Sequence, residues 1–338
     1  MTRVAVMGAG SWGTVFSMIL SDAGCDVTLW SRTAEIADEM NATHTNEAYH
    51  PGVVFPANIS ATTDASVALA DSDLVVLAVP AQTLRDNLSL WRDEIPATAV
   101  IVSLIKGIEI GTSLRMSEVI ADVAQIDPSR VAVVSGPNLA TEIAERQPAA
   151  TTVACLDEES ALRVQDACTT DYFRPYYTTD VVGVEIAGAV KNVIALANGM
   201  AVGLGYGENA QSALMTRGLA EMMRLGAGLG ANPMTFAGLA GVGDLVATCQ
   251  SPLSRNRTVG VHLGEGMSAE AAQAVIRTTS EGVKSCQSIV DLARRNGVEM
   301  PITEQVAQVI HNGKHPAKVL QAFMSRETRA EEGHEQDV

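Results

Sequence analysis

Along the first 135 residues the apolar and β-branched positions gather into short runs, Val4–Met7, Asp26–Trp30, Leu74–Val79, Ala99–Ser103 and Val131–Val134, with helix-length stretches between them. Near-continuous runs of this kind are what strands of a parallel sheet need when helices cover both faces. The pattern predicts an α/β fold, a Rossmann-type doubly wound, mostly parallel sheet. Past about residue 182 the period changes to long Ala-, Leu- and Met-rich stretches, Val184–Val202 and Ala210–Gly226, punctuated by Gly and Pro. These predict an all-helical C-terminal domain. The expected organisation is one domain over 1–181, a second over 182–326, and a charged tail over 327–338 too polar to pack.

Composition narrows the function classes. Hydrophobic residues make up 47% and charged residues 18% of 338, which argues against disorder for most of the chain. Thirty-nine acids against 23 bases leave a net charge of -16, the wrong sign for nucleic acid. Cys25, Cys155, Cys168, Cys249 and Cys286 are odd in number and include no C-x-x-C pair, so neither a disulfide framework nor a metal site is expected, and a reducing cytoplasm fits. The start of the chain lacks a basic region followed by a long apolar stretch, which argues against secretion. Val181–Leu204 is long and apolar but carries Glu185, Lys191, Asn192 and Asn198, and a charge at a bilayer centre costs at least about 2.5 kcal/mol. It reads as a buried helix of a soluble protein. His311 and His315 are separated by Gly313 and have no H-E-x-x-H context, so they read as surface residues; no G-x-S-x-G elbow is present.

Gly8-Ala9-Gly10-Ser11-Trp12-Gly13 follows the first strand and opens a helix running to about Ala23. In that setting Gly8 makes the tight turn, Gly10 lets backbone approach a pyrophosphate and Gly13 permits close helix packing, which makes the first domain dinucleotide-binding. The second strand ends Trp30-Ser31-Arg32-Thr33 with no acid before Glu35. An acid there would bind the ribose 2′-OH; a hydroxyl and a guanidinium favour NADP(H), with NAD(H) as the other option, unless Arg32 is a solvated surface charge. Lys191, in Gly188-Ala189-Val190-Lys191-Asn192, is either a buried ammonium suited to proton transfer or a snorkelling residue at a helix edge. Lys106 follows a strand end, where ligands of doubly wound sheets bind, although a surface lysine would look the same. Ser135-Gly136-Pro137-Asn138 repeats the strand-turn-helix logic, with backbone N–H groups for an oxygen-rich ligand, although a plain N-cap would look similar. Ser254-Arg255-Asn256-Arg257 gathers a hydroxyl, an amide and two guanidinium forks that would suit a phosphate cradle, notable in so acidic a chain, although a basic loop offsetting acidic neighbours would look the same.

Taken in order, Gly-Ala-Gly-Ser-Trp-Gly-Thr (8–14), Ser-Leu-Ile-Lys-Gly (103–107), Ser-Gly-Pro-Asn-Leu-Ala-Thr-Glu (135–142), Gly-Ala-Val-Lys-Asn (188–192), Gly-Glu-Asn-Ala-Gln-Ser-Ala-Leu (207–214), Gly-Leu-Ala-Gly-Val-Gly-Asp-Leu (238–245) and Ser-Arg-Asn-Arg (254–257) resemble the bacterial NAD(P)-dependent glycerol-3-phosphate dehydrogenases. The resemblance implies reversible reduction of dihydroxyacetone phosphate to sn-glycerol 3-phosphate, a glycerophospholipid precursor. It implies Lys191 as general acid/base, Asp244 as the carboxylate orienting it, and Lys106 as a substrate contact near the nicotinamide. Gly136, Asn138, Ser254, Arg255 and Asn256 would face substrate, with Asn138 standing where the family more usually has a small hydroxyl residue. Ser11, Trp12, Arg32, Ala140, Arg255 and Glu281 resemble nucleotide-contacting positions. A homodimer is an open expectation, and no metal is needed for the chemistry.

Two other readings share part of this pattern. A β-hydroxyacid or ketopantoate-type reductase has the same plan and a helix-borne lysine, but its carboxylate substrate has less need of the 254–257 cradle. A non-catalytic NADPH-binding protein would keep the glycine turn and lose the proton-transfer group; Lys191 together with Asp244 speaks against it.

Overall fold

The structure, a computed structural model, describes residues 1–276 and 280–319; the tail expected over 327–338 lies outside the described residues, as do positions 320–326 of the expected second domain. Among the described residues the strands are β1 (Arg3–Met7), β2 (Asp26–Trp30), β3 (Ile59–Thr62), β4 (Leu74–Leu77), β5 (Val100–Ser103), β6 (Val131–Ser135), β7 (Ala149–Cys155) and β8 (Phe173–Thr178). They form one sheet in the order β3-β2-β1-β4-β5-β6-β7-β8, parallel except where β7 runs against β6. Five of these strands answer the apolar runs; β3, β7 and β8 are additions. The helices among them are α1 (Ser11–Asp22), α2 (Ala34–Thr43), α3 (Ala65–Leu69), α4 (Leu84–Trp91), α5 (Met116–Ala124), α6 (Ala140–Ala144) and α7 (Glu158–Ala167).

The reason for near-continuous apolar strands is visible in the core. Val4, Val6, Leu74, Val76, Val100 and Val102 pack into one buried cluster, while Ala5, Met7, Val75, Leu77 and Ile101 pack into another. Successive side chains of a strand point to opposite faces, so a sheet with two cores needs apolar residues at every position. The order reverses between β1 and β4, and the crevice beyond their carboxyl ends is where such sheets bind ligands.

The chain divides into two compact units. The first holds Met1–Glu109 and Leu114–Glu185; the second holds Ile110–Ser113 and the chain from Ile186, a division four residues beyond the expected 181/182 boundary. Arg295 explains the short excursion, because its guanidinium donates to the carbonyls of Thr112 (2.7 Å) and Gly111 (3.4 Å). The remaining helices are α8 (Val181–Gly203), inside which the division falls, α9 (Glu208–Gly228), α10 (Pro233–Phe236), α11 (Asp244–Gln250), α12 (Arg255–Gly264), α13 (Ala269–Val275), α14 (Glu281–Arg295) and α15 (Pro301–Asn312). Among the described residues α8 alone is long and apolar enough to cross a membrane, yet 94% of its apolar window is buried inside the protein.

Helix α8 meets α12 backbone to backbone. A Cβ built on Gly199 would lie 2.9 Å from the Gly260 Cα, one on Gly260 would strike the Leu196 carbonyl, and one on Gly264 would strike that of Met200. Four glycines, Gly199 and Gly203 facing Gly260 and Gly264, therefore set the spacing of the two helices. Gly260→Ala has only backbone to push against, so it should destabilise the helical unit by about 1–3 kcal/mol, the usual cost of overpacking. Thermal or denaturant unfolding checks this; an unchanged midpoint would show that the helices separate freely.

Candidate active site

Gly8 leaves β1 at a φ of +134°, a conformation that suits glycine. A Cβ there would sit 2.6 Å from the Ala78 carbonyl beyond β4, and one on Gly13 would strike the Gly8 carbonyl. Gly10 differs, since nothing lies within 4 Å of its added Cβ. Gly8 and Gly13 are thus required by packing, whereas the side of Gly10 is open and leaves room for a ligand to reach the backbone. Helix α1 starts there with no side-chain cap and no acid in its first turn, leaving the first-turn N–H groups and the positive end of the helix dipole for an anion. A pyrophosphate fits these residues.

Two residues that sequence reasoning missed brace this loop. Asn46, fully buried, donates through Nδ2 to the Ala9 carbonyl (3.2 Å) and to Thr14 Oγ1 (2.9 Å). His50 Nε2 lies 3.0 Å from the Ser11 carbonyl and 3.2 Å from Ser11 Oγ, and burial holds the imidazole below its ordinary pKa. No spacing flags them; the only signal is a cluster of polar residues in a turn-rich segment. Trp12 packs edge-on against Phe16, with ring centroids 5.6 Å apart. Beyond β2 the buried Ser31 hydroxyl is used on Thr33, whose carbonyl it reaches at 3.0 Å, so the exposed Arg32 is the charged group at this strand end.

At the ends of β5 and β6 the Lys106 ammonium donates to the Gly136 carbonyl at 3.0 Å, joining two loops that the sequence had offered separately. Asn138 donates through Nδ2 to Thr151 Oγ1 at 2.9 Å, and its Oδ1 is buried with no hydrogen-bond partner. Gly136 is pressed against β7, since an added Cβ would lie 2.9 Å from the Thr151 Cα. Ala140 opens the short helix α6.

In the second unit Lys191 of α8 is 7% exposed, and its ammonium donates to Asp244 Oδ1 at 3.0 Å and to Thr248 Oγ1 at 2.7 Å. Thr248 in turn donates to Asp244 Oδ1 at 3.1 Å, closing a triangle. Lys191 is therefore a buried ammonium among polar partners and not a snorkelling residue at a helix edge. Asp244 and Thr248 are four residues apart on α11, which places both on one face, and a single wide π-helical turn, Leu239–Gly243, leads into Asp244. Two turns further along α8, Asn198 donates to the Cys249 carbonyl at 2.9 Å and fixes α11 in this register.

Ser254 caps α12, accepting from the Arg257 N–H at 3.3 Å, and so places Arg255, Asn256 and Arg257 in a first turn whose dipole is positive. Arg255 is exposed, while Asn256 is 8% exposed and bonded to Asn192 at 2.9 Å. Glu281 is the first residue of α14. The structure thus joins Lys191 with Asp244, joins Lys106 with Gly136, and sets Ser254, Arg255 and Asn256 on one turn bonded to the neighbour of Lys191. His311 and His315 are exposed, and His311 Nε2 lies 3.4 Å from the Cys286 sulfur. Among the described residues no cluster of three or more His, Cys, Asp or Glu could hold a metal.

Comparison with known proteins agrees over almost the whole length. The chain matches the family described as NAD-dependent glycerol-3-phosphate dehydrogenase N-terminus over residues 3–161 and the corresponding C-terminus family over residues 180–321. It is 59% identical over 329 residues to the glycerol-3-phosphate dehydrogenase (NAD(P)+) of Streptomyces coelicolor, covering 97% of this chain and 98% of that one. It is 58% identical, with the same coverage, to that of Streptomyces griseus. The crystal structure of glycerol-3-phosphate dehydrogenase from Coxiella burnetii superposes with a TM-score of 0.91 at 37% identity, covering 96% of this chain and 99% of that one. The chain belongs to the NAD-dependent glycerol-3-phosphate dehydrogenase family.

Proposed function

We propose that this protein interconverts dihydroxyacetone phosphate and sn-glycerol 3-phosphate with NAD(P)H in the cytoplasm, supplying the glycerol phosphate of glycerophospholipids. The observation that carries the reading is the buried Lys191–Asp244–Thr248 triangle beside the cationic first turn of α12. The two sets of residues match the two ends of a phosphorylated ketone. The relatives' identity to glycerol-3-phosphate dehydrogenases disfavours a carboxylate-substrate reductase.

The first unit is the dinucleotide-binding domain and the second, helical unit binds substrate. In the first unit the α1 N–H groups and Gly10 hold the pyrophosphate, and Ser11, Trp12, Arg32, Lys106 and Ala140 contact the nucleotide. When bound, the reduced nucleotide supplies a hydride. Lys191 stabilises the alkoxide that develops on the carbonyl oxygen and gives it the proton. Asp244 and Thr248 keep the ammonium at one place, which removes the cost of ordering it in the transition state. In the second unit Ser254, Arg255 and Asn256 bind the phosphate. Arg32, with no acid before Glu35, favours NADP(H) over NAD(H).

Lys191→Ala should lower kcat by roughly 100- to 10,000-fold, the range for a lost general acid, while nucleotide affinity stays within about twofold. Removing both charges, as Lys191→Met with Asp244→Asn, should give an equally inactive protein without the stability loss of a lone buried carboxylate. A variant that keeps more than about a third of wild-type kcat contradicts the role, since general-acid loss costs far more. For Arg32→Asp the NADPH-to-NADH ratio of kcat/KM should fall by about tenfold or more, the worth of a hydrogen bond between charged groups. An unchanged ratio would show that Arg32 does not read the ribose.

A further inference from the structure

Asn256 is held by a buried polar network whose polarity is determined at both ends. Its Oδ1 faces the Gly282 backbone N–H at 3.0 Å, and a backbone N–H only donates, so this atom is the oxygen of the amide. Ser280 Oγ, 2.6 Å from the same oxygen, must then donate as well. At the other end Asn192 donates through Nδ2 to the Gly188 carbonyl at 3.2 Å, which leaves its Oδ1 to accept from Asn256 Nδ2 at 2.9 Å. Ser280 precedes the first residue of α14, where a serine ordinarily accepts from its own helix, yet it makes no such cap. Asn256 caps α14 in its place through the Gly282 N–H, and the serine hydroxyl is spent on the asparagine. Ser280, Asn256 and Asn192 are all buried, and Gly282 is pressed so close that a Cβ there would lie 2.6 Å from the Asn192 carbonyl.

We propose that Ser280 is a positioning residue that locks the Asn256 carboxamide with its oxygen toward α14, so that Asn256 presents only N–H to a ligand and thereby selects an oxyanion acceptor such as a phosphate. An amide has two N–H bonds and one is committed to Asn192, so the other is what remains for a ligand, while both acceptor positions of the oxygen are filled. Without the Ser280 hydroxyl the oxygen loses one of two restraints, and the flipped amide would offer a phosphate its carbonyl. The proposal rests on the reading of the α12 turn as the phosphate-binding turn.

The test is steady-state kinetics of the full chain with dihydroxyacetone phosphate and with unphosphorylated dihydroxyacetone. Ser280→Ala should raise KM for the phosphorylated substrate by roughly five- to twentyfold, a hydrogen bond's worth, with kcat within about threefold. Efficiency with dihydroxyacetone should not change, and Ser280→Thr, which keeps the hydroxyl, should restore KM. In Asn256→Asp, whose carboxylate still accepts from both donors but has no N–H to orient, adding Ser280→Ala should change KM by less than about twofold, because the two residues act as one unit. A wild-type KM in Ser280→Ala, an equal loss with dihydroxyacetone, or a full additional loss in the Asn256→Asp background would each overturn the proposal. Arg255→Ala separates this from the reading beneath it. If Arg255→Ala lowers the ratio of efficiencies for the two substrates and Ser280→Ala does not, the Ser280 proposal alone fails; if neither moves the ratio, the phosphate reading fails with it.

Discussion

An ammonium taken out of water costs several kcal/mol unless a carboxylate meets it in the same place, and this requirement organises the helical unit. Lys191 on α8 is buried, so Asp244 on α11 has to be buried against it, at 3.0 Å, with Thr248 filling a second donor of the ammonium. Meeting that condition fixes two helices in rotation and in height. Asn198 repeats the tie two turns along α8, through the Cys249 carbonyl, so the ion pair is held by a splint as well as by its own attraction. Breaking one partner would leave an uncompensated buried charge, so the loss of either residue acts on stability.

The glycine-lined crossing of α8 and α12 extends the same logic to the cationic first turn of α12. Because no side chain separates the two backbones, α12 begins close enough to α8 for Asn256 to bond Asn192, the residue after Lys191. Lys191 and the cationic turn are thereby built on one closely packed pair of helices, with Ser254 capping the second of them. In the first unit the division of labour is similar. Gly8 and Gly13 are consumed by packing against the ends of β1 and β4, Gly10 is left open, and Asn46 and His50 hold the loop from behind.

What was legible in the sequence is what lies in short local strings. The glycine turn declares itself because strand, turn and helix follow one another within a few residues, and the inner strands because two cores demand apolar residues at every position. The edge strands β3 and β8 escape that signal: Ile59–Thr62 is buried at alternate positions only, and Phe173–Thr178 carries Pro175 and two exposed tyrosines. Strand β7 reads Ala-Ala-Thr-Thr-Val-Ala-Cys, with too little bulk to stand out. Lys191 was legible by residue type and Asp244 through the family resemblance, but Thr248 looked like part of an ordinary helix, because its contact depends on the approach of a residue 57 positions away. Asn46, His50, Asn198 and Ser280 were hidden for the same reason. Each acts on backbone or side chains distant in sequence, and no spacing encodes such a partner.

The claim that joins these observations is that the protein reduces a phosphorylated ketone. It is tested most directly by following the loss of reduced-nucleotide absorbance in the purified wild-type protein, offered dihydroxyacetone phosphate and, separately, ketopantoate at equal concentration. Turnover that depends on dihydroxyacetone phosphate, with ketopantoate inert, is the predicted result. Turnover of ketopantoate in preference, or none with dihydroxyacetone phosphate, would contradict it.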